Sequence, residues 1–215
     1  MTVTFKNLKL YYFDNVNNSS ICGRGEHIRL LLKDSDIDFE YVRINLVGKE
    51  WTDLKQKLIS EKKASSPTLP FITIDGKYYG KAIPIMRYIS NKLGKYIAAN
   101  DEDAQLVDSY ADIVMGWVDR WANAYFWNPN EETIQKYESV QINQAYDDFE
   151  NILVTNGGPY LLGNTITYPD FALFHMIEDD GTAAARSSTH PHVAAFIKEM
   201  QNRPNLKAYL KTDRN

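Results

Sequence analysis

The first half of the chain alternates short apolar runs with amphipathic stretches. Leu8 to Phe13 and Phe39 to Leu46 have the length of β-strands, and Gly25 to Lys33 between them carries its apolar residues on one helical face. The pattern continues with a helix around Trp51 to Ile59, strands at Phe71 to Ile74 and Lys77 to Tyr79, and a helix from Pro84 to Leu93. This order predicts a small mixed sheet with helices on its faces. A right-handed crossover makes its first two strands parallel, and the closing hairpin is antiparallel.

The second half has a different rhythm, because no strand pattern follows Asp101. Helical periods predict helices at Asp103 to Trp127, at Glu131 to Thr155, from near Tyr168 and, more briefly, after Pro191. We therefore expect two domains, an α/β domain at residues 1–94 and an all-helical bundle at residues 101–215, joined by a polar linker at 95–100.

Pro70 stands where the apolar strand Phe71 to Ile74 begins. Because proline has no backbone N–H for an interior strand position, we predict an edge strand that turns back through Asp75-Gly76. If the Leu69–Pro70 bond is cis, the backbone N–H and C=O of Leu69 face outward. A peptide-like ligand could pair with them as an extra strand.

Composition narrows the functional classes. The 215 residues include 24 basic and 28 acidic ones, for a net charge of −4, and no basic cluster stands out. We therefore expect no nucleic-acid partner and no membrane partner. No leader-like start and no apolar run of about 18 residues is found, so we expect a cytoplasmic protein. The single cysteine, Cys22, excludes an internal disulfide and fits a reducing compartment.

A motif in the second half predicts how one helix begins. In Thr167-Tyr168-Pro169-Asp170, Thr167 and Asp170 have the spacing of a capping box, and Pro169 is tolerated in the first helical turn.

Asp147-Asp148 and Asp179-Asp180 are interpreted as solvated helix faces, and the four histidines show no metal-ligand spacing.

The element order, the Thr68-Leu69-Pro70 segment and the segment Tyr160 to Asp170 resemble the cytosolic glutathione transferases over nearly the whole chain. The resemblance implies a thioredoxin-like glutathione-binding domain at 1–94 and a helical domain at 101–215. It also implies glutathione bound along the cis-proline strand and a homodimer. Lys9 to Phe13 and Gly23 to Arg29 look most like the tyrosine-type classes, sigma in particular.

Two residues compete for the catalytic role that the resemblance implies. Tyr12 matches the family tyrosine, whose phenol donates a hydrogen bond to the glutathione sulfur and favours the thiolate. Cys22 falls where the omega class has its cysteine, just before a predicted helix that would lower its pKa. A packing tyrosine and a buried, inert cysteine are the structural alternatives. The loop Asp14 to Ile21 is longer than in sigma enzymes, which could move either group away from the sulfur.

The remaining glutathione contacts are also implied by the resemblance. Trp51 and Lys55 match residues that hold the glycine carboxylate, and Arg24 matches an arginine that supports the tyrosine. The γ-glutamyl end departs from the family pattern, because Lys81-Ala82 stands where Gln or Glu is followed by Ser. The serine hydroxyl is missing, but the amide of Ala82 and the charge of Lys81 could still bind the carboxylate.

The resemblance also implies an electrophile pocket along the first helix of the bundle, at Met115, Trp117 and Trp121. Met115 also matches the position of the acid that sigma enzymes take from the partner subunit. Trp117, Trp121 and Tyr125 recur at i, i+4 and i+8, and such a stripe is more often a core or a dimer interface than a substrate wall.

The implied activity is conjugation of the glutathione thiolate to small hydrophobic electrophiles, a detoxification reaction with glutathione as co-substrate and no metal. One alternative is a glutathione-dependent thiol–disulfide reductase or peroxidase. The other is a non-catalytic interaction module of the same fold.

Overall fold

A computed structural model describes residues 5–14, 23–46 and 48–214 of the chain. It divides into two compact units, one formed by Met1–Gly94 with Arg203–Asn215 and the other by Lys95–Asn202. The division differs from the predicted helical domain 101–215, because the last residues of the chain pack with the first unit. The reason is a set of ion pairs that joins this segment to the first helix, such as Arg203 with Asp34.

Among its described residues, the first unit contains a four-stranded sheet and four helices. Its strands are β1 (Lys9–Phe13), β2 (Glu40–Ile44), β3 (Phe71–Ile74) and β4 (Lys77–Gly80). Its first three helices are α1 (Gly23–Asp34), α2 (Glu50–Ser60) and α3 (Ala82–Leu93). The fourth is a short helix at Pro204–Tyr209, which the sequence pattern did not predict. The predicted order of strands and helices is therefore confirmed in the first 94 residues.

The strand order in the sheet is β2-β1-β3-β4. β1 and β2 are parallel, as predicted, and β3 is antiparallel to both β1 and β4. The prediction that Phe71–Ile74 is an edge strand is therefore wrong. Pro70 is compatible with an interior strand because it precedes the first ladder residue, and its carbonyl accepts the N–H of Lys81 at 3.3 Å.

The core of the first unit lies between the sheet and its helices. Leu10 and Ile72 of the sheet are 0 % exposed, as are Ile28 of α1 and Met86 of α3. Burial of each such side chain away from water contributes about 1.5–3 kcal/mol to the free energy of folding. This apolar layer fixes α1 and α3 against the sheet and thereby positions the helix N-termini near the strand ends.

The second unit is all-helical, as predicted. Its helices are α4 (Asp101–Ala122), α5 (Glu131–Lys136), α6 (Ile142–Asn156), α7 (Tyr168–Asp180), α8 (Ala183–Arg186) and α9 (Pro191–Asn202), which makes the helix at Pro204–Tyr209 α10. Two π-helical segments, Asn123–Trp127 and Tyr137–Gln141, interrupt or end the long helices that the sequence predicted. Every residue from Tyr168 to Ile177 is buried, so α7 is the central helix of this unit.

The predicted capping box at the start of α7 is present. The Asp170 carboxylate is 0 % exposed and accepts hydrogen bonds from the backbone N–H and the hydroxyl of Thr167, at 2.7 and 2.9 Å. It also accepts the backbone N–H of Leu161 at 2.8 Å. One buried carboxylate thus ties the start of the central helix to the preceding loop.

None of the helices among the described residues combines the length and the apolar character that crossing a membrane requires.

Candidate active site

Three segments of the first unit meet at one end of its sheet. Tyr11 pairs with Phe71 in the antiparallel register of β1 and β3, so the next step along the two strands places Tyr12 beside Pro70. Phe71 in turn pairs with Gly80, and the Lys81 N–H donates to the Pro70 carbonyl. Tyr12, the Pro70 segment and the start of α3 are therefore neighbours.

The side chain of Tyr12 is held against the first turn of α1. It is 9 % exposed, and its hydroxyl oxygen accepts the backbone N–H of Arg24 at 3.2 Å. A Cβ atom at Gly25 would lie 2.6 Å from Cδ1 of Tyr12, so only glycine allows this approach. The first amides of a helix have no intrahelical acceptor and carry its positive end. A phenol whose oxygen accepts such an amide becomes a stronger proton donor toward an anion.

The segment before Pro70 is held in place by β4. The Tyr78 hydroxyl accepts the backbone N–H of Thr68 at 3.1 Å and donates to its carbonyl at 3.4 Å. The Leu69–Pro70 peptide bond is cis. The side-chain oxygen of Thr68 is buried and makes no hydrogen bond with any of the residues that the structure describes. A buried polar atom without a partner is the feature expected where a polar ligand completes a site.

The start of α3 offers uncapped amides. Lys81 precedes the helix with φ of +72°, a left-handed conformation that is unusual for a residue with a side chain, and it makes no side-chain capping bond. Its side chain is exposed, whereas Ala82 is buried. The first N–H groups of α3 and the Lys81 ammonium together suit a carboxylate.

Not all of the predicted residues belong to this cluster. Trp51 is half-buried and Lys55 is exposed, one turn apart on α2. Arg24 is half-buried in the first turn of α1 and reaches Tyr12 through its backbone. Cys22 and most of the preceding loop lie outside the described residues. The roles of Trp51, Lys55 and Cys22 stay predictions.

The predicted electrophile pocket needs one correction. Trp117 is 0 % exposed and belongs to the core of the second unit. Its indole N–H donates to the Tyr137 hydroxyl at 2.9 Å, and its ring packs on Tyr146 and Phe149 with centroid distances of 5.2 and 5.8 Å. Trp117 is therefore not an accessible pocket wall. Met115 and Trp121 are half-buried on the same helix, and their role stays a prediction.

A buried polar network in the second unit was missed. Asp180, interpreted from the sequence as solvated, accepts the hydroxyls of Tyr137 and Tyr146 at 2.8 and 3.3 Å. It also accepts the N–H and the hydroxyl of Thr182. Burial, and then the Asp180 charge, raises the pKa of Tyr137, so this hydroxyl stays protonated. Tyrosines on the buried face of an amphipathic helix need a polar partner, and that signal could have pointed to Asp180.

Three comparisons with known proteins, namely with family models, with related sequences and with solved structures, all find glutathione S-transferases. Residues 115–213 match the family model of the glutathione S-transferase C-terminal domain. Glutathione S-transferase P 10 of Caenorhabditis elegans is 28 % identical over 203 residues, which are 94 % of this chain and 90 % of that protein. Glutathione S-transferase P 1 of Xenopus laevis is 29 % identical over 195 residues, or 89 % of this chain and 88 % of that one.

A solved structure extends the comparison to the fold. The Pi-class glutathione S-transferase of Onchocerca volvulus superposes with a TM-score of 0.80 at 24 % identity, covering 95 % of this chain and 92 % of that one. The relatives named here carry the P or Pi label, so the sigma-class assignment stays a prediction. The family model, the relatives and the fold agree: the chain is similar to the glutathione S-transferases over nearly its whole length, and its residues 115–213 match the C-terminal domain of that family.

Proposed function

We propose that the protein is a glutathione transferase that joins the glutathione thiolate to small hydrophobic electrophiles. The observation that carries this proposal is the Tyr12 hydroxyl, which accepts an amide at the start of α1 beside the Pro70 segment. A phenol in that position can donate its proton in a hydrogen bond to a thiolate. Lowering the pKa of a thiol by one unit requires about 1.4 kcal/mol of preference for the anion, which one such bond can supply.

Glutathione is assigned to the end of the sheet at which Tyr12 lies. Its cysteinyl backbone is placed along Leu69, its γ-glutamyl carboxylate at Lys81 and Ala82, and its glycine carboxylate at Trp51 and Lys55. Two observations on the described residues support the first two assignments: the buried Thr68 oxygen has no hydrogen-bond partner among them, and Lys81 makes no side-chain cap at the start of α3. The reaction then forms a carbon–sulfur bond to the electrophile, and the displaced group leaves with the bonding electron pair.

The natural electrophile is assigned only by class. A small hydrophobic compound is proposed, with Met115 and Trp121 as contacts. A homodimer, a cytoplasmic location and a role in detoxification are proposed on the family resemblance alone. Dimer formation is tested by analytical ultracentrifugation of the full chain, and a single monomeric species at micromolar concentration would reject it.

Retention on a glutathione resin and turnover of an aryl halide test the activity directly. We expect both, with Tyr12→Phe losing about 10²-fold or more in kcat/KM, since the stabilising proton is removed. Tyr11→Phe on the same strand is the matched control, because it removes a phenol from the other face of β1. Absence of both binding and turnover would favour the non-catalytic module.

A second comparison separates the two candidate sulfur contacts. If Cys22→Ser abolishes conjugation while Tyr12→Phe retains it, the assignment of Tyr12 as the sulfur contact is wrong and Cys22 takes that role. If Cys22→Ser removes only disulfide reduction, the reductase alternative describes a side activity.

A further inference from the structure

The carboxylate of Glu26 is completely enclosed in the first turn of α1. It is 0 % exposed, and its two oxygens accept the Tyr209 hydroxyl at 2.9 and 3.1 Å. Arg29 of the same helix pairs with it at 2.9 Å and Arg214 at 3.2 Å. Two of these three partners come from the last residues of the chain. A buried carboxylate of this kind is stable only while its partners are in place.

The same terminal segment also holds the other end of α1. The guanidinium of Arg203 binds both oxygens of Asp34, at 2.9 and 2.5 Å, and the Asn205 side chain donates to the Asp34 carbonyl at 2.9 Å. Between these two ends of α1, the Arg29 side chain donates to the Arg214 carbonyl at 2.6 Å and so adds a third contact with the terminal segment. Residues 203–214, here called the C-terminal strap, therefore fix both the position and the rotation of α1.

The first turn of α1 is also where Tyr12 is bound. Glu26 follows Gly25, which lies against the Tyr12 ring, and Arg24, whose N–H reaches the Tyr12 hydroxyl. The three residues are consecutive on one helical turn, so a shift of Glu26 moves the Arg24 amide with it. Burial and the Glu26 charge raise the pKa of Tyr209, so its hydroxyl remains a hydrogen-bond donor at neutral pH.

We propose that the C-terminal strap positions the thiol-activating group, with Tyr209 and Arg214 acting through Glu26 and the first turn of α1 on the Tyr12 hydroxyl. The two are positioning residues, because neither contacts the reacting atoms. This inference rests on the proposed function for its effect on catalysis, but the coupling to the Arg24 amide can be measured without any activity.

Tyr209→Phe tests the strap, because it removes one hydroxyl and keeps the ring. Tyr160→Phe is the matched control: its hydroxyl also donates to a glutamate, Glu199 at 3.2 Å, but within the second unit. Amide hydrogen exchange followed by NMR should show faster exchange of the Arg24 N–H in Tyr209→Phe, by about five- to tenfold, and no change in the control. Equal exchange rates in the two variants would overturn the coupling.

Catalysis supplies the second readout. With glutathione bound, the ultraviolet absorbance of the thiolate should fall in Tyr209→Phe, and kcat should drop about three- to tenfold while the KM for glutathione changes less than about twofold. A purely structural role would lower the melting temperature of both variants and leave the thiolate absorbance and kcat unchanged. Arg214→Gln removes another partner of Glu26 and provides a milder variant, in which thiolate absorbance and kcat should also fall.

The two proposals fail in different ways. A wild-type protein without thiolate absorbance or turnover contradicts the proposed function, whereas faster Arg24 exchange in Tyr209→Phe still supports the strap. An active wild type whose thiolate absorbance and Arg24 exchange do not respond to Tyr209→Phe or Arg214→Gln overturns the strap alone.

Discussion

The Tyr78 hydroxyl binds both backbone groups of Thr68, accepting its N–H at 3.1 Å and donating to its carbonyl at 3.4 Å. Thr68 is two residues before Pro70, on the segment to which glutathione is assigned. Gly80 makes this arrangement possible, because a Cβ there would lie 2.5 Å from the Tyr78 hydroxyl. A side chain on the outer strand thus holds a loop that forms part of the candidate site.

Tyr78→Phe should therefore weaken glutathione binding more than it slows the chemical step. Loss of both hydrogen bonds frees the Thr68 segment, and we expect the KM for glutathione to rise about five- to tenfold with kcat within about twofold. Steady-state kinetics at varied glutathione concentration measures the two constants. Tyr88→Phe is the control, since its hydroxyl donates to another hydroxyl, that of Tyr79, in the same unit. Equal KM values for both variants would remove Tyr78 from the site.

Lys81 offers a test of the altered γ-glutamyl end. Lys81 directly precedes α3 and carries a positive charge there, so Lys81→Ala should raise the Kd for glutathione about three- to tenfold at low salt. Isothermal titration calorimetry measures this change. Lys92→Ala, an exposed lysine at the other end of the same helix, should leave the Kd unchanged.

Backbone conformation at Lys81 requires a second variant. Because φ is +72°, alanine there is as strained as lysine, whereas glycine relieves the strain. Lys81→Gly should therefore bind glutathione as weakly as Lys81→Ala but unfold at a higher temperature. If Lys81→Gly binds glutathione as tightly as the wild type, the ammonium does not contact the ligand.

The buried capping box should dominate the stability of the second unit. In Asp170→Asn an amide group replaces one carboxylate oxygen and meets the N–H donors of Leu161 and Thr167, so we expect a loss of about 2–4 kcal/mol in the free energy of unfolding. Denaturant unfolding measures it. Asp103→Asn is the control, because Asp103 occupies the same third position in α4 and accepts a solvent-exposed hydrogen bond from the Asn100 side chain, and it should cost under about 1 kcal/mol.

Local sequence signals predicted the elements well, because apolar periodicity and caps act within a few residues. The β1-α1-β2 order and the box at Thr167 are examples. Position within the sheet does not follow from local sequence. Pro70 suggested an edge, yet β3 pairs with β1 as well as with β4, and the ladder begins one residue after Pro70. The destination of residues 203–214 depended on ion pairs with α1 that are distant in sequence, and a six-residue helix gives little periodic signal.

Only part of the candidate site could be predicted, because local sequence does not show which distant residues a side chain contacts. Tyr12 and the Pro70 segment are joined by strand pairing, which follows from the fold, and the structure brings them together. The aromatic stripe on α4 could face a pocket or the core, and only the contacts of Trp117 with Tyr137 and Tyr146 distinguish the two. Helical spacing gives the common face of such residues but not what that face contacts.

Acid should weaken the second unit through Glu150 of α6, whose carboxylate accepts the N–H groups of His192 and Val193 at the start of α9. Burial raises the pKa of this carboxyl, but hydrogen bonds from the N–H of Val193 and from the side chain and N–H of His192 outweigh burial, and the net pKa is lowered from 4.5. The unfolded chain therefore binds the proton more tightly than the folded one. The stabilisation is present above about pH 4.5 and is lost as the pH falls through the folded-state pKa of Glu150.

Glu150→Gln should lower the melting temperature at pH 6 and flatten its decline on the acid side. Thermal unfolding between pH 3 and pH 7, followed by circular dichroism, measures both effects. Glu131→Gln is the matched control because Glu131 is exposed in the first turn of α5, and its pH profile should parallel that of the wild type. A carboxylate that is hydrogen-bonded only in the native state makes the melting temperature fall as it takes up a proton, and glutamine cannot do this. If the profile of Glu150→Gln is parallel to that of the wild type, the bonds to His192 and Val193 do not stabilise the fold.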